Sequence, residues 1–242
     1  MTTPPAFNLK VVHPSWQPCI TSALTQINHD YQNTLLTNDH WLPGKDKIFN
    51  AFSLPVEKIN YILFGESPYP RPQSANGYAF FDAAVTQLWS ETGLSKPVNR
   101  ATSLRNIIKM LLIAEYDIES PTQADIANLD KHHLITTNQE LFTNLLNHGF
   151  LLLNASLVLQ STPVQKDATY WRPFIKQILD FLLQKKPNTQ LILFGNIAKI
   201  IGELVEQYSA PKLYTEHPYN ISFITNPKVI NFFKPLHLLL HS

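Results

Sequence analysis

Short apolar runs alternate along this chain with longer segments in which apolar residues recur every three or four positions. The runs 60–66, 150–154 and 190–194 are apolar almost throughout, and each ends in a glycine or a polar residue. Such runs are typical of strands that are buried on both faces of a sheet. A weaker run, 212–216, predicts a fourth strand.

The segments between these strands show helical periodicity. In 103–116 the apolar residues fall at 104, 107, 108, 111 and 112, and Ser103 is a candidate N-cap. We also predict helices over 138–148, over 172–186, and from Gly195 to about 207. Strands that alternate with helices predict an α/β fold of three layers, α/β/α, with a central and mostly parallel four-stranded sheet.

Composition limits the class of protein. The chain has 242 residues, of which 44% are hydrophobic and 15% charged, and its formal net charge is +1. With no internal repeat and no linker-like segment, we predict one domain over 1–242. A charge this small is not that of a strongly basic nucleic-acid-binding protein, so any DNA contact must come from a local cluster or from backbone amides and hydroxyls.

Cofactor sites and membrane segments have no support in the sequence. The single cysteine, Cys19, excludes an intramolecular disulfide and a cysteine-based metal site. Neither a phosphate-binding loop nor a dinucleotide motif occurs, and we expect no metal and no cofactor. Without an apolar run of about 18 residues or a secretory leader, we expect no membrane contact and a monomer in the cytoplasm.

Polar residues follow three of the predicted strands. Glu66 and Ser67 come after Gly65, Asn154 ends the second run, and Glu216 and His217 end the fourth. The carboxyl ends of parallel strands meet at one edge of the sheet, and ligands bind there. We therefore expect the functional site at this edge.

Several segments resemble those of a known family. The segments 65–70 (GESPYP) and 75–80 (ANGYAF) resemble the GQDPYH…AHGLAF signature of the uracil-DNA glycosylases. Further segments match that family in the same order, between about residues 42 and 233: 45–52 (KDKIFNAF), 103–106 (SLRN), 149–154 (GFLLLN), 194–196 (FGN) and 217–222 (HPYNIS). The resemblance implies a DNA N-glycosylase that removes a flipped uracil in base-excision repair, with uracil-containing or single-stranded DNA as its partner.

The resemblance also implies roles for individual residues in binding the base. Phe80 matches the aromatic residue that stacks on the flipped base, and Asn154 matches the amide that reads its Watson–Crick edge. Tyr69 matches the ring that excludes the 5-methyl group of thymine, and Glu66 stands at a further position that contacts the base. His217 matches the catalytic histidine that stabilises charge on uracil O2.

Positions that contact DNA outside the base follow in the same way. Ser103, Gly195 and Ser222 match positions that contact phosphates, and Asn196, where the family has a serine, is a further DNA-binding candidate. Ile221 matches the wedge that fills the space left by the flipped nucleotide. Taken one at a time, such residues also suit plainer structural roles, since an isolated Phe80 or Ile221 would suit the core and an isolated Tyr69 or His217 a loop.

The chain departs from the family at the catalytic position. Ser67 stands where the family carries its aspartate, and a hydroxyl cannot stabilise a cationic sugar as a carboxylate does. The neighbouring Glu66 is a candidate for the missing carboxylate; the alternative is that Glu66 is a solvated or ion-paired residue at the strand end.

Two hypotheses follow from these features. The first is a divergent uracil-DNA glycosylase in which Ser67, or Glu66 instead, places the attacking water. The second is a weakened or inactive homologue that binds DNA or a protein partner. The second hypothesis is motivated by Ser67, by the near-zero charge, and by changes at Pro70 and in the loops that contain Ala101 and Tyr219.

Overall fold

A computed structural model describes residues 7–160 and 164–241, in which six strands form two sheets. The strands are β1 (Tyr61–Gly65), β2 (Trp89–Ser90), β3 (Gly93–Leu94), β4 (Phe150–Asn154), β5 (Gln190–Phe194) and β6 (Lys212–Thr215). The larger sheet has the order β4-β1-β5-β6, and β2 and β3 form a separate antiparallel pair.

All three pairings in the larger sheet are parallel. The register places Gly65 opposite Asn154 and Phe194 opposite Thr215. The ends of these four strands therefore lie at one edge, where the loops that follow them converge. This arrangement confirms the predicted central parallel sheet.

Nine α-helices surround the two sheets in the described residues. They are α1 (Gln17–Leu24), α2 (His29–Thr37), α3 (Lys96–Arg100), α4 (Thr102–Tyr116), α5 (Gln123–Asn128), α6 (Asn138–Asn147), α7 (Val164–Lys185), α8 (Ile197–Leu204) and α9 (Pro227–Phe233). Short 3₁₀ turns occur at Asn50–Ser53, Val56–Lys58, Ile221–Thr225 and Lys234–Leu236.

Hydrophobic cores cover both faces of the larger sheet. Ile62 and Phe64 of β1 pack with α1 and α7 on one face, whereas Leu63 packs with α4, α6 and α9 on the other. Successive side chains of a strand point to opposite faces, so a strand buried on both faces needs an unbroken apolar run. This explains the apolar runs in the sequence and confirms the three-layer α/β/α architecture.

Some predicted boundaries are wrong. Helix α4 begins at Thr102, with Ala101 as its N-cap and no side-chain capping bond, so Ser103 lies inside the first turn and is not the cap. Helix α7 begins at Val164 rather than at 172, and Pro173 lies inside it. Proline favours a first helical turn, but the fully buried Trp171 and Phe174 pack this part of α7 against the core as helix.

Smaller errors concern the ends of other elements. Helix α8 ends at Leu204 instead of about 207, and β6 ends at Thr215, so Glu216 follows the strand. Cys19 is buried and unpaired in the fold. Among the helices of the described residues, none combines the length and the apolar character that a membrane span requires.

Candidate active site

A cavity of about 200 Å³ opens where the carboxyl ends of β1 and β4 meet the loop after β6. We call it the strand-end cavity. Its walls are formed by Gly65, Glu66, Ser67, Pro68, Tyr69, Pro70, Phe80, Ser103, Asn154 and His217. The predicted convergence of polar strand ends is therefore observed. Glu216 is the exception, because its Oε2 accepts hydrogen bonds from Thr215 and Asn226 instead.

Asn154 is the last residue of β4 and is almost fully buried, with 2% of its surface exposed. Its carboxamide lies directly against Gly65 of the neighbouring strand, where an added Cβ would collide with Asn154 Oδ1 and lie 2.9 Å from the Ala79 Cβ. In the described part of the chain, no hydrogen bond engages this carboxamide. Its acceptor and donors are therefore available to a molecule in the strand-end cavity.

Phe80 has a left-handed backbone, with φ of 61°, which is rare for an aromatic residue and costs about 1–3 kcal/mol. Hydrogen bonds hold its loop in place. The Ala79 N–H donates to the Leu152 carbonyl of β4 at 3.1 Å, and the Asn76 Nδ2 donates to the Phe81 carbonyl at 2.9 Å. This strained backbone turns the Phe80 ring toward the cavity, 6.0 Å from the His217 ring between centroids.

Tyr69 stands between Pro68 and Pro70 and forms another wall of the cavity. Proline fixes its own φ and restricts the residue before it, so the backbone at Tyr69 has little freedom. Burial raises the pKa of the Tyr69 hydroxyl, and the nearby Asp82 carboxylate raises it further, with Arg71 opposing. The phenol therefore stays neutral at physiological pH.

His217 follows β6, and its Nδ1 accepts a hydrogen bond of 3.0 Å from the backbone N–H of Tyr219. The proton of the neutral ring is therefore assigned to Nε2. Burial lowers the pKa of His217 below its ordinary value, although the Glu66 carboxylate partly opposes this. The ring is thus a neutral imidazole with an N–H donor at the strand-end cavity.

Two further contacts fix the loop that carries His217. Asn106 of α4, which is 1% exposed, donates from Nδ2 to the Pro218 carbonyl at 2.7 Å, and the carbonyls of Tyr219 and Asn220 lie 3.4 Å away. On the other side, Gly195 has φ of 59°, and an added Cβ there would lie 3.0 Å from the His217 Cβ. Gly195 therefore allows a close approach to the histidine.

Glu66 and Ser67 both line the strand-end cavity, but their environments differ. Glu66 is exposed and also borders a second cavity of about 230 Å³ beside α7 and α8. Within residues 7–160 and 164–241 it forms no ion pair. Ser67 is partly buried, and its Oγ makes one long contact of 3.5 Å with the Pro68 carbonyl.

Of the five predicted DNA-contacting positions, one lines the strand-end cavity and the other four do not. Ser103 lines it directly, in the first turn of α4, where backbone N–H groups lack a side-chain cap. Gly195 and Asn196 lie between β5 and α8, and Ile221 and Ser222 begin the 3₁₀ turn that follows the His217 loop. Asn196 and Ser222 are exposed, and Ile221 is 74% exposed, as a wedge requires and a core residue would not be.

Sequence reasoning missed two features of the site. The positioning role of Asn106 was not recognised, although the residue lies in a segment that carries the resemblance. The Arg71–Asp82 ion pair was missed as well. A signal for this pair was available in the sequence, because Arg71 and Asp82 carry opposite charges and each follows closely a loop that was expected at the site. No cluster of three or more His, Cys, Asp or Glu side chains is placed to hold a metal in the described residues.

No protein-family model matches the chain. It is 27% identical over 217 residues to a uracil-DNA glycosylase of Streptococcus mutans, covering 87% of this chain and 85% of that protein. It is 29% identical over 217 residues to the uracil-DNA glycosylase of Amoebophilus asiaticus, covering 86% and 84%.

Comparison of the structure gives a stronger match. The wild-type UNG crystal structure from Nitratifractor salsuginis superposes with a TM-score of 0.91 at 38% identity, over 97% of this chain and 96% of the other. The mimivirus uracil-DNA glycosylase shares the fold, with a TM-score of 0.59 at 16% identity over 87% of this chain and 71% of the other. By sequence and by structure together, this chain belongs to the uracil-DNA glycosylase superfamily.

Proposed function

We propose that this protein hydrolyses the N-glycosidic bond of uracil in DNA, as a DNA N-glycosylase of base-excision repair. The observation that carries the proposal is the Asn154 carboxamide: the residue is 2% exposed, its side chain makes no hydrogen bond within the described residues, and it shares one cavity with Phe80 and His217. Amide donors and an acceptor that the fold leaves unused at a cavity wall can pair with a ligand in that cavity. The kinship with uracil-DNA glycosylases supports uracil as that ligand.

Three side chains share the recognition of the base. Phe80 stacks on the base, which holds any base without choosing one. The Asn154 amide donates to O4 and accepts from N3–H of uracil, whereas cytosine would oppose donor to donor and leave groups unpaired. The constrained Tyr69 ring occupies the space that the 5-methyl group of thymine would need.

His217 acts on the leaving group. When the bond between the sugar C1′ and the uracil N1 breaks, the electron pair passes into the ring and negative charge develops on O2. The neutral imidazole donates its Nε2–H to that oxygen as the charge forms. Water then adds to C1′ and its proton is transferred to the uracil anion, so that neutral uracil and an abasic site are the products.

The cationic sugar needs a negative charge nearby. Ser67 can hydrogen-bond the attacking water but carries no charge, and Glu66 is the one carboxylate among the residues that line the strand-end cavity. We propose that Ser67 orients the water and that Glu66 supplies the charge.

The test uses a uracil-containing oligonucleotide whose abasic products are cleaved with alkali. We expect uracil release from the wild type and its loss in Asn154→Ala, while Asn144→Ala is the control. Asn144 is also a buried amide, but it donates to Leu238 and Leu240 outside the cavity. Absence of release from the folded wild type would overturn the proposal.

Two variants separate the roles of Ser67 and Glu66. We expect Glu66→Gln to lower the rate of uracil release by roughly tenfold or more, since charge stabilisation is a large term in such reactions. Full activity in Glu66→Gln would exclude the carboxylate role. A gain of activity in Ser67→Asp would indicate that the rest of the site is competent.

The absence of a carboxylate at position 67, where this chain has a serine, favours a second candidate function. In that case the protein would be a DNA-binding module without catalysis. The same oligonucleotide decides between the two. Retention of DNA that depends on Phe80, with no uracil release, would support the binding module. We further propose that the protein acts as a monomer in the cytoplasm, which sedimentation and cell fractionation would test.

A further inference from the structure

Tyr219 is one of the two most exposed large hydrophobic residues in the described part of the chain, with 68% of its surface accessible. It lies between His217, which lines the strand-end cavity, and Ile221, which is 74% exposed. In the described residues no hydrogen bond engages its hydroxyl. An aromatic ring so exposed beside a binding cavity is poorly placed for a structural role, because it packs against little of the protein.

The backbone under this ring is held firmly. The Tyr219 N–H donates to His217 Nδ1, the Asn220 N–H donates to the His217 carbonyl at 2.9 Å, and Asn106 lies against the carbonyls from the other side. The ring is therefore presented from a fixed position. A contact with an ordered loop loses less entropy on binding than one with a mobile loop.

The charge of the loop indicates what kind of contact it makes. Residues 217–222 (HPYNIS) contain no lysine or arginine, and the net charge of the whole chain is +1. A loop of this composition cannot hold phosphates with cationic side chains. Its two largest exposed surfaces are a flat aromatic ring and an aliphatic side chain, and stacking on bases is the mode of nucleic-acid binding that uses such surfaces.

We propose that Tyr219 stacks on the base of the nucleotide next to the flipped uracil in the same strand. This inference rests on the proposed function, in which the flipped base lies in the cavity beside His217. Tyr219 follows His217 by two positions, so its ring lies close to the nucleotide next to that base. A single ring is far smaller than the area that a stable protein partner would bury, and a neighbouring base matches it in size and shape. Stacking there would contribute to DNA affinity, which a protein of such low net charge gains only weakly from phosphate contacts.

The experiment measures binding and excision separately. Binding uses single-stranded oligonucleotides that carry 2′-fluoro-deoxyuridine, which resists hydrolysis because fluorine disfavours the cationic sugar. The nucleotide on the 5′ or the 3′ side of the uridine is adenine, 2-aminopurine or an abasic analogue. We expect wild-type affinity to fall roughly tenfold to hundredfold when one flanking base is removed, and 2-aminopurine fluorescence to be quenched at that side.

Substitutions at Tyr219 then test the assignment. We expect Tyr219→Ala to lose both the dependence on the flanking base and the quenching, and Tyr219→Phe to retain them. Tyr214→Ala is the matched control, because Tyr214 is a 47% exposed tyrosine on β6 that does not line the cavity. It should behave as the wild type does.

The outcomes distinguish this inference from the proposed function. If Tyr219→Ala binds and quenches as the wild type does, stacking by Tyr219 is overturned even where uracil release is normal. If no variant releases uracil but binding still depends on Tyr219 and the flanking base, the stacking role stands and the enzymatic function fails. Failure of the wild type to bind any of these oligonucleotides would overturn stacking by Tyr219, whereas the proposed function would still be decided by the release of uracil.

Discussion

The Arg71 guanidinium lies 2.9 Å from Oδ2 of Asp82 and joins the loop that carries Tyr69 to the loop that carries Phe80. Asp82 is 1% exposed, and its other oxygen accepts a hydrogen bond of 2.9 Å from the Ala84 N–H. The two walls of the strand-end cavity are therefore connected through a buried carboxylate whose charge is balanced by one arginine.

Removing that arginine should affect stability and specificity together. We expect Arg71→Met to lower the free energy of unfolding by about 1–3 kcal/mol, because the buried Asp82 loses its ionic partner. We also expect the preference for uracil over thymine to weaken, since Tyr69 is no longer tied to the Phe80 loop. Denaturant unfolding and excision assays on the two bases provide the measurements.

The control for Arg71 is a surface ion pair of similar length. Arg172 lies 2.8 Å from Glu203, with about half of each side chain exposed. Exposed pairs contribute about 0–1 kcal/mol, so Arg172→Met should cost less than Arg71→Met. Equal costs would contradict a special role for the buried pair.

Substitution of Gly65 should disable base reading. In Gly65→Ala the new Cβ collides with the Asn154 Oδ1, so the carboxamide must move away from its position at the cavity. We expect uracil release to fall by roughly tenfold or more, since displacement of a positioning group by about 1 Å costs roughly a hundredfold. Steady-state excision kinetics measure the loss.

Gly202→Ala is the matched substitution, because Gly202 lies inside α8 and an added Cβ would meet only the Tyr214 hydroxyl at 3.6 Å. We expect it to keep full activity and to gain about 0.5–1 kcal/mol of stability, as alanine favours helices. A Gly65→Ala protein as active as Gly202→Ala would refute the close-contact argument.

Asn106 should matter for catalysis as well as for folding. In Asn106→Ala the carbonyl of Pro218 loses its 2.7 Å donor, which we expect to cost about 1–3 kcal/mol of stability. The His217 loop then loosens, so kcat for uracil release should fall even when it is measured well below the unfolding temperature. Asn144→Ala should cost a similar amount of stability with unchanged kcat, and a parallel loss of kcat in both variants would show that the effect is general.

The pH dependence of His217 follows from its lowered pKa. The unfolded side chain has its ordinary value of 6.5, whereas burial lowers the pKa in the fold. The contribution of His217 to stability is therefore constant above about 6.5 and is lost as the pH falls from there through the folded pKa, because the unfolded state binds the proton first. Unfolding measured against pH should show this loss, and it should be absent in His217→Gln.

Glu66 opposes that shift through its charge. We expect Glu66→Gln to lower the folded pKa of His217 further, which NMR titration of the imidazole measures directly. If His217 titrates in the folded wild type above 6.5, the burial argument is wrong.

Much of the sheet was predictable from the sequence. The runs that became β1, β4 and β5 are apolar at consecutive positions because both faces of the sheet are covered, and this local signal requires no knowledge of distant contacts. The order of the strands then brings their polar ends to one edge. The resemblance added the roles expected of Phe80, Asn154 and His217, which remain predictions at the level of individual residues.

Tertiary structure alone decided how the side chains at that edge are held. The Asn106–Pro218 hydrogen bond joins residues 112 positions apart, and no local pattern reports such a contact. The start of α7 ahead of Pro173, the exposure of Tyr219 and the outward position of Glu66 were likewise fixed by packing. Periodicity records which side of an element is buried, whereas the orientation of a side chain in a loop depends on partners that only the folded chain brings within reach.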